Sequence, residues 1–262
     1  MTENATVKQC CAAFYGSDVA RKLLGDSFHP GGTRLTQILG ERLNLKPSAR
    51  VLDVASGRGT SAFYLAESFH CTVIGVDFSA ENVAEATNES ERQGLSRLVQ
   101  FVTGDAERLL FSDASFDAVI CECALCTFPN KRAAAAEFFR VLKQGGSVGI
   151  SDLTRVNQPL PDLEGLLAWI ACIGDALPTT KYAEILEKSG FRSVITEHHT
   201  DALTEMVHEI QGRLLSAEVL AALQKIDLAG VDFAAAKRMI QSARQAIADS
   251  HVGYVAMTAQ KL

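Results

Sequence analysis

The sequence lacks a long hydrophobic run. Although 47% of its 262 residues are hydrophobic, no uninterrupted apolar stretch reaches the roughly 20 residues of a membrane-spanning helix. The opening MTENATVKQCC also lacks the basic start and apolar core of a secretory signal peptide. We therefore expect a cytoplasmic protein with no membrane partner.

The sequence also lacks an excess of basic residues and an even set of cysteines. Its 25 Lys and Arg against 31 Asp and Glu give a formal charge of -6, which argues against nucleic acid as a partner. Seven cysteines are an odd number, and a reducing compartment disfavours a disulfide framework. The thiols are expected to be core residues, metal ligands or reactive groups.

Short β-branched runs alternate with helical patterns between residues 49 and 152. RVLDVAS, CTVIGVDFS, LVQFVTGDA, FDAVICE and GGSVGISDLT are strand-like, and helix-like stretches separate most of them. Such near-continuous apolar strands are typical of a parallel sheet with helices on both faces. GFRSVITEHH and HVGYVAMTAQKL predict a late antiparallel pair. The expected fold is α/β, with a doubly wound, seven-stranded, mostly parallel sheet.

Two helical segments lie outside this sheet. Residues 1–48 form the predicted N-terminal helical cap, interrupted by the loop sequence SFHPGGT. Residues 201–249 form a predicted helical insertion before the last strand. The core then comprises residues 49–200 and 250–262.

Acidic residues follow three successive strands. Asp53 ends the first strand, in VLDVASGRGT, Asp77 ends the second, and Asp105 lies just past the third. In doubly wound folds, ligands bind beyond the carboxyl ends of the strands, where an acid reaches ribose hydroxyls. Each acid alone could be a helix cap. Together they indicate a nucleotide-like cofactor more strongly than Gly57 and Gly59 do.

This arrangement resembles the class I S-adenosylmethionine-dependent methyltransferases, whose first strand leads into an acid and a G-x-G-x-G turn. Here Ala55 replaces the first glycine of that turn. The resemblance covers residues 49–152 and implies a Rossmann-like fold with S-adenosylmethionine as cofactor. NAD-dependent dehydrogenases share the first two features but leave Asp105 unexplained. The cofactor-site residues that it implies are Asp53, Ala55, Gly57, Gly59, Asp77, Phe78, Asp105, Ala106, Glu122, Tyr15 and Gly32.

Three of these residues have a second interpretation. Glu122 either receives an amino group of the cofactor or substrate, or is a solvated strand end. Tyr15 contacts the cofactor or packs on a helix face. Gly32 closes its loop over the cofactor or belongs to a simple turn between helices.

Three cysteines fall within six positions in CECALCTFPNK, where the fourth strand ends. Cys121 alternates into the sheet and is interpreted as a core residue. Cys123 and Cys126 lie beyond the strand, where a substrate would sit. A zinc site needs four ligands, and a second pair is missing, so structural zinc is disfavoured.

A narrower resemblance, to the arsenite methyltransferases, rests on CECALCTFPNK and on ACIGDALPTTKYAEILEKSGF. In that family one substrate cysteine lies on the loop after the fourth strand and a second before the sixth strand, which Cys123 and Cys172 match. A third lies upstream of the core, which Cys11 or Cys10 would supply. Cys126 is extra, and its role stays open.

The resemblance implies methyl transfer to trivalent arsenic, as arsenite or methylarsenite, in a detoxifying role. Arsenic is soft and favours thiolates, and its lone pair would attack the sulfonium methyl without a general base. A glutathione- or thioredoxin-type thiol reductant would be a partner. Two alternatives stay open. One is a methyltransferase for a small organic metabolite such as a quinone precursor, with structural cysteines; the other is a non-catalytic, thiol-based metalloid-binding protein.

Overall fold

The computed structural model describes Lys8 and residues 29–156, 173–223 and 232–262 of the chain. Numbered over these residues, the strands are β1 (Arg50–Val54), β2 (Thr72–Asp77), β3 (Val99–Thr103), β4 (Phe116–Glu122), β5 (Leu142–Arg155), β6 (Arg192–His198) and β7 (Val252–Gln260). The helices are α1 (Gly32–Arg42), α2 (Thr60–Phe69), α3 (Ala80–Arg92), α4 (Lys131–Val141), α5 (Thr179–Lys188), α6 (Thr200–Ala222) and α7 (Phe233–Ala248). A 3-10 turn spans Leu125–Thr127.

One seven-stranded sheet has the order β3-β2-β1-β4-β5-β7-β6. Strands β1 to β5 pair in parallel, and β7 runs antiparallel between β5 and β6. This confirms the expected doubly wound, mostly parallel sheet and its late antiparallel pair. The strand order reverses between β1 and β4, so the carboxyl ends of these two strands form the crevice in which such sheets bind ligands.

Alternation along the central strands explains why both faces of the sheet are buried. Val51 packs into a core with helix α2 on one face, whereas Leu52 and Val54 pack into a larger core on the other. Successive residues of a strand point to opposite faces, so a nearly continuous apolar strand fills two cores. The rigid sheet then fixes where its polar strand ends lie.

Two of the helices begin at side-chain caps that lie near the carboxyl edge of the sheet. The Ser79 hydroxyl accepts a hydrogen bond from Asn82 N at 3.2 Å at the start of α3. The Asn130 side chain accepts one from Ala133 N at 3.0 Å at the start of α4. Each cap satisfies a backbone donor that the first helical turn leaves open, and so it defines where the strand-to-helix loop ends.

The segments outside the sheet are described in part. Helix α1 belongs to residues 1–48, and α6 and α7 lie between β6 and β7. The division into a cap, a core and an insertion stays a prediction. Within the described ranges, no helix has the length and apolar character that crossing a membrane requires.

Close packing at Gly75, in β2, generates a stability prediction. A Cβ atom there would lie 2.4 Å from the Phe101 ring and 2.6 Å from the Ser56 hydroxyl. We expect Gly75→Ala to lower the free energy of unfolding by about 1–3 kcal/mol, because overpacking forces its neighbours to move. Urea denaturation measures the change.

Gly212 in α6 is the matched control, since a Cβ there meets no atom within 4 Å. Gly212→Ala is expected to raise stability by about 0.5–1 kcal/mol, as alanine restricts the unfolded chain and favours helix. Equal effects at the two glycines would contradict this packing.

Candidate active site

A pocket lies over the carboxyl ends of β1, β2 and β4. Its lining includes Cys123 and most of the residues expected at a cofactor site. The latter are Asp53, Ala55, Gly57, Asp77, Phe78, Asp105, Ala106 and Glu122. Among the described residues of that set, Gly32 and Gly59 fall outside this lining. Tyr15, Cys10, Cys11 and Cys172 lie outside the described residues, so their predicted roles stay predictions.

The turn after β1 is built on left-handed backbone. Ala55, Gly57 and Gly59 have φ values of 59°, 53° and 88°. A Cβ on Gly57 would meet no protein atom within 4 Å, whereas one on Gly59 would lie 2.4 Å from the Phe101 ring. Gly57 therefore leaves space for a ligand, and Gly59 serves close packing. Ala55 adopts a conformation that costs an L-residue about 1 kcal/mol or more.

Asp77 joins this turn to the start of α3. Its Oδ2 accepts a hydrogen bond from Gly57 N at 2.8 Å. Its Oδ1 accepts one from Ser79 N at 2.8 Å and one from Asn82 Nδ2 at 3.3 Å. Burial raises the pKa of Asp77, and these donors oppose the rise by favouring the ionised form. The carboxylate thus holds the glycine turn in place.

Asp53 and Glu122 each have a buried oxygen with no hydrogen-bond partner, Asp53 Oδ2 and Glu122 Oε1. The two residues are 2% and 9% exposed. Burial raises the pKa of Asp53 well above its usual value, and the neighbouring charges of Glu122 and Asp77 add to the rise. Buried carboxylates without a cation are costly, so this site is complementary to a positively charged group.

The second oxygen of Glu122 is held from two helices. Glu122 Oε2 accepts hydrogen bonds from Thr36 Oγ1 at 2.9 Å and from Ser61 Oγ at 2.6 Å. His29 Nε2 lies 3.6 Å from the same oxygen. The interpretation of Glu122 as a solvated strand end is therefore wrong, because its side chain is only 4% exposed.

Asp105 lies at the other end of the pocket, after β3. Lys8 Nζ donates to both of its oxygens, at 2.9 Å and 2.8 Å, and also pairs with Glu107 at 2.7 Å. Burial alone would lower the pKa of Lys8, but the hydrogen bonds to Asp105 and Glu107 outweigh it and raise the pKa. A ligand that donates a hydrogen bond to Asp105 would share this carboxylate with the lysine.

The three thiols of CECALCTFPNK lie in different surroundings around the end of β4. Cys121 is buried, and burial together with the charges of Asp152 and Asp53 raises its pKa well above the usual value. Cys126 is also buried, and its backbone N donates to Asp152 Oδ2 at 2.8 Å. Cys123 is partly exposed and lines the pocket, with φ 51°. The expected core position of Cys121 is confirmed, and the structure places Cys126 in the core as well.

Within the described part of the chain, no group of three or more His, Cys, Asp or Glu residues is placed to hold a metal ion. The proposed arsenic ligands Cys11 and Cys172 belong to the residues outside that part. Of the cysteines predicted to bind arsenic, Cys123 lies among the described residues, and it lines the pocket.

Sequence patterns did not single out several residues of the pocket. Ser61, Asn82 and Lys8 line it, and the first two are almost fully buried. Ser61 follows the glycine turn at the start of α2, and Asn82 occupies the third position of α3. The sequence could have indicated Ser61 and Asn82 through their positions in the first helical turn, because the helix N-termini after β1 and β2 face the same crevice.

Comparisons with known proteins agree with this geometry. A family model described as "Methyltransferase domain" matches residues 52–150. The chain is 34% identical over 188 residues to phosphoethanolamine N-methyltransferase 1 of Arabidopsis thaliana, covering 71% of this chain and 38% of that protein. It is also 34% identical to an uncharacterised protein of Haemophilus influenzae, over 69% of this chain and 73% of that one.

A solved structure provides a likeness in fold. Phosphoethanolamine N-methyltransferase 2 of Haemonchus contortus, in complex with S-adenosylmethionine, matches with a TM-score of 0.78 and 22% identity over 96% of this chain and 60% of that one. Residues 52–150 therefore form a class I S-adenosylmethionine-dependent methyltransferase domain. The chain spans little more than a third of the length of the Arabidopsis relative, at 38%.

The residues present fit the family's cofactor, S-adenosylmethionine, and that sequence-based expectation is confirmed for the family by the Haemonchus complex. The open space at Gly57 and the unpartnered oxygen of Asp53 are the observations that fit it, because the cofactor carries an ammonium and a sulfonium charge. The narrower resemblance to arsenite methyltransferases is not supported by the relatives described above, whose names specify phosphoethanolamine where they specify a substrate.

The raised pKa of Asp53 generates a prediction about stability. The folded state holds this proton more tightly than the unfolded chain, so Asp53 costs stability increasingly as pH rises above about 4, its ordinary range. We expect Asp53→Asn to raise the free energy of unfolding by about 1–3 kcal/mol at pH 7.5. Near pH 4 the gain should vanish.

Urea denaturation of the ligand-free protein at both pH values is the measurement. A stability loss at pH 7.5 would show that the Asp53 carboxylate is compensated within the folded protein. That result would contradict the unpartnered charge.

Proposed function

We propose that this chain transfers the methyl group of S-adenosylmethionine to a small acceptor molecule bound beside the ends of β4 and β5. The observation that carries the proposal is the pair of buried, unpartnered carboxylate oxygens, on Asp53 and Glu122, in a pocket at the switch point of the sheet. A site of this kind suits a cationic cofactor and excludes water from it.

In this proposal, the acidic residue at each strand end binds a different part of the cofactor. Asp53 would accept its amino group, Asp77 its ribose hydroxyls, and Asp105 its adenine amino group. Gly57 would let the cofactor approach the backbone. When bound, S-adenosylmethionine supplies an electrophilic methyl group on a positively charged sulfur. The protein's part is to hold the acceptor in line with that methyl, at about 3 Å, and to keep water out.

The charge of the lining favours an uncharged or cationic organic acceptor. Lys8 is paired with Asp105 and Glu107, and Arg58 Nε lies 2.8 Å from Glu85 Oε2. Among the described residues of the lining, a phosphorylated acceptor, of the kind named for the plant relatives, would meet carboxylates rather than a cluster of open cations.

Trivalent arsenic is the second candidate acceptor, and the position of Cys123 at the pocket favours it. A thiolate there would be one ligand of the arsenic, with Cys172 and Cys11 or Cys10 as the others. This candidate alone requires a thiol reductant as a partner. Binding of arsenite without formation of S-adenosylhomocysteine would instead indicate a metalloid-binding protein.

One assay separates the two acceptors. Purified protein is incubated with S-adenosylmethionine and, in turn, small amines, phenols, phosphoethanolamine, or arsenite with excess thiol. S-adenosylhomocysteine and methylated products are then quantified. We expect turnover with an amine or phenol, and Cys123→Ser should change that kcat by no more than about threefold, since the thiol would be a wall of the pocket.

Cys71→Ser is the matched control, because Cys71 is fully buried at the start of β2 and its Sγ donates to Leu65 O at 3.3 Å. Methylated arsenic that Cys123→Ser abolishes and Cys71→Ser retains would identify arsenic as the acceptor. Failure of the wild type to form S-adenosylhomocysteine with any acceptor would contradict the proposed function.

A further inference from the structure

Asp53 and Glu122 lie on the same face of the sheet and form what we call the acidic pair. Asp53 pairs in register with Ile120 of β4, and Glu122 follows two residues later on that strand. Residues in register on neighbouring strands share a face, and so do residues two apart in one strand. Both side chains line the pocket, and each has a buried oxygen without a hydrogen-bond partner. The pair therefore presents two open carboxylate oxygens to one space.

The groups that hold Glu122 orient its carboxylate without cancelling its charge. Glu122 Oε2 accepts hydrogen bonds from the hydroxyls of Thr36 and Ser61, which are neutral donors. His29 Nε2 lies 3.6 Å from the same oxygen, beyond hydrogen-bond distance. Burial and, after it, the charge of Glu122 raise the pKa of Asp53, as expected for two acids that share one space. The acidic pair is thus a concentration of negative charge.

The other acids of the pocket have partners that offset their charge. Lys8 Nζ lies 2.8 Å from Asp105 Oδ2. Asp77 accepts hydrogen bonds from the backbone N of Gly57 and of Ser79, both at 2.8 Å. Among the described residues of the lining, the unmatched negative charge is therefore concentrated at the acidic pair. The pocket is electrostatically uneven, with one end that favours a cation and another that is already ion-paired.

We propose that the acidic pair makes the site selective for S-adenosylmethionine over its product, S-adenosylhomocysteine, which lacks the sulfonium charge. This inference rests on the proposed function. The two molecules share their amino group, ribose and adenine, so contacts to those parts cannot tell them apart. The interaction between charges falls off slowly in a partly buried site, so the pair can favour the sulfonium without touching it. Asp53 and Glu122 would then be specificity-determining residues.

Methyl transfer removes the charge that the acidic pair favours. A lone pair of the acceptor forms a bond to the methyl carbon, and the carbon–sulfur bond breaks with its electron pair left on sulfur. The positive charge passes from sulfur to the methylated acceptor, which keeps it or releases a proton to water. S-adenosylhomocysteine then leaves the pair without its cation, so dissociation of this product is favoured and its inhibition of the enzyme is weak.

Titration calorimetry at pH 8 tests the inference with both molecules and three proteins, the wild type, Glu122→Gln and Asp53→Asn. The wild type is expected to bind S-adenosylmethionine at least about tenfold more tightly than S-adenosylhomocysteine. Each variant should lower that ratio about threefold or more, mainly by weakening S-adenosylmethionine, because it removes one of two charges. The methyl group is the same throughout, so a change in the ratio reports charge rather than packing of the methyl group.

Asp117→Asn is the matched control. Asp117 is the second residue of β4, at the opposite end of the strand from Glu122, and it pairs with Lys143 at 2.7 Å. The substitution also removes one negative charge, but the ratio should stay within about twofold of the wild type. A second control is sinefungin, which carries an ammonium group in place of the methylated sulfonium. Its affinity for the wild type should resemble that of S-adenosylmethionine, and Glu122→Gln should weaken it.

The wild-type ratio decides the inference even if Glu122→Gln fails to fold. Wild-type Kd values within about threefold of each other would show that the acidic pair is neutralised, for example by His29, and would overturn the inference. Variants that weaken both molecules equally would also overturn it, because the pair would then serve only the parts that the two molecules share. Turnover together with either result would leave the proposed function standing. Absence of S-adenosylmethionine binding to the wild type would overturn the proposed function and this inference together.

Discussion

The burial of acidic side chains at the ends of three neighbouring parallel strands is the constraint on which the rest of the site depends. Asp53, Asp77 and Glu122 are each less than a tenth exposed. The sheet is held by two apolar cores, so it fixes these carboxylates where water cannot fully solvate them. Backbone donors neutralise much of this cost at Asp77, but Asp53 and Glu122 each keep an oxygen open. These two buried carboxylates lower the stability of the ligand-free protein, and a bound cation would offset that cost by pairing with them.

The fold could be predicted from the sequence because the patterns that indicate strands and helices are local. Alternating apolar strands and amphipathic helices predict the doubly wound sheet, and the late strand pair lies where it was expected. The turn after β1 was also recognisable despite Ala55, since the left-handed backbone at that position is what the family's glycine normally supplies. Ala55 adopts it through its surroundings rather than its own preference.

The site was predictable only where a residue sits at a strand end. Asp53, Asp77, Asp105 and Cys123 were all placed at the pocket edge from the strand pattern. The partners of Glu122 were not, because Thr36 and Ser61 are 86 and 61 residues away from it in the chain. No local pattern encodes which helix hydroxyl will reach a given carboxylate. The cysteine spacing was also ambiguous, because one 3-10 turn sends Cys126 into the core and leaves Cys123 at the pocket.

The central claim is that the acid-lined pocket at the glycine turn holds S-adenosylmethionine. Titration calorimetry of the cofactor into wild type and Gly57→Asn tests it most directly, since asparagine tolerates the left-handed φ of 53° and its side chain would occupy the open space at Gly57. The account predicts one cofactor bound per wild-type chain and a Kd at least about tenfold weaker in the variant. Equal affinities, or no binding to the wild type, would contradict it.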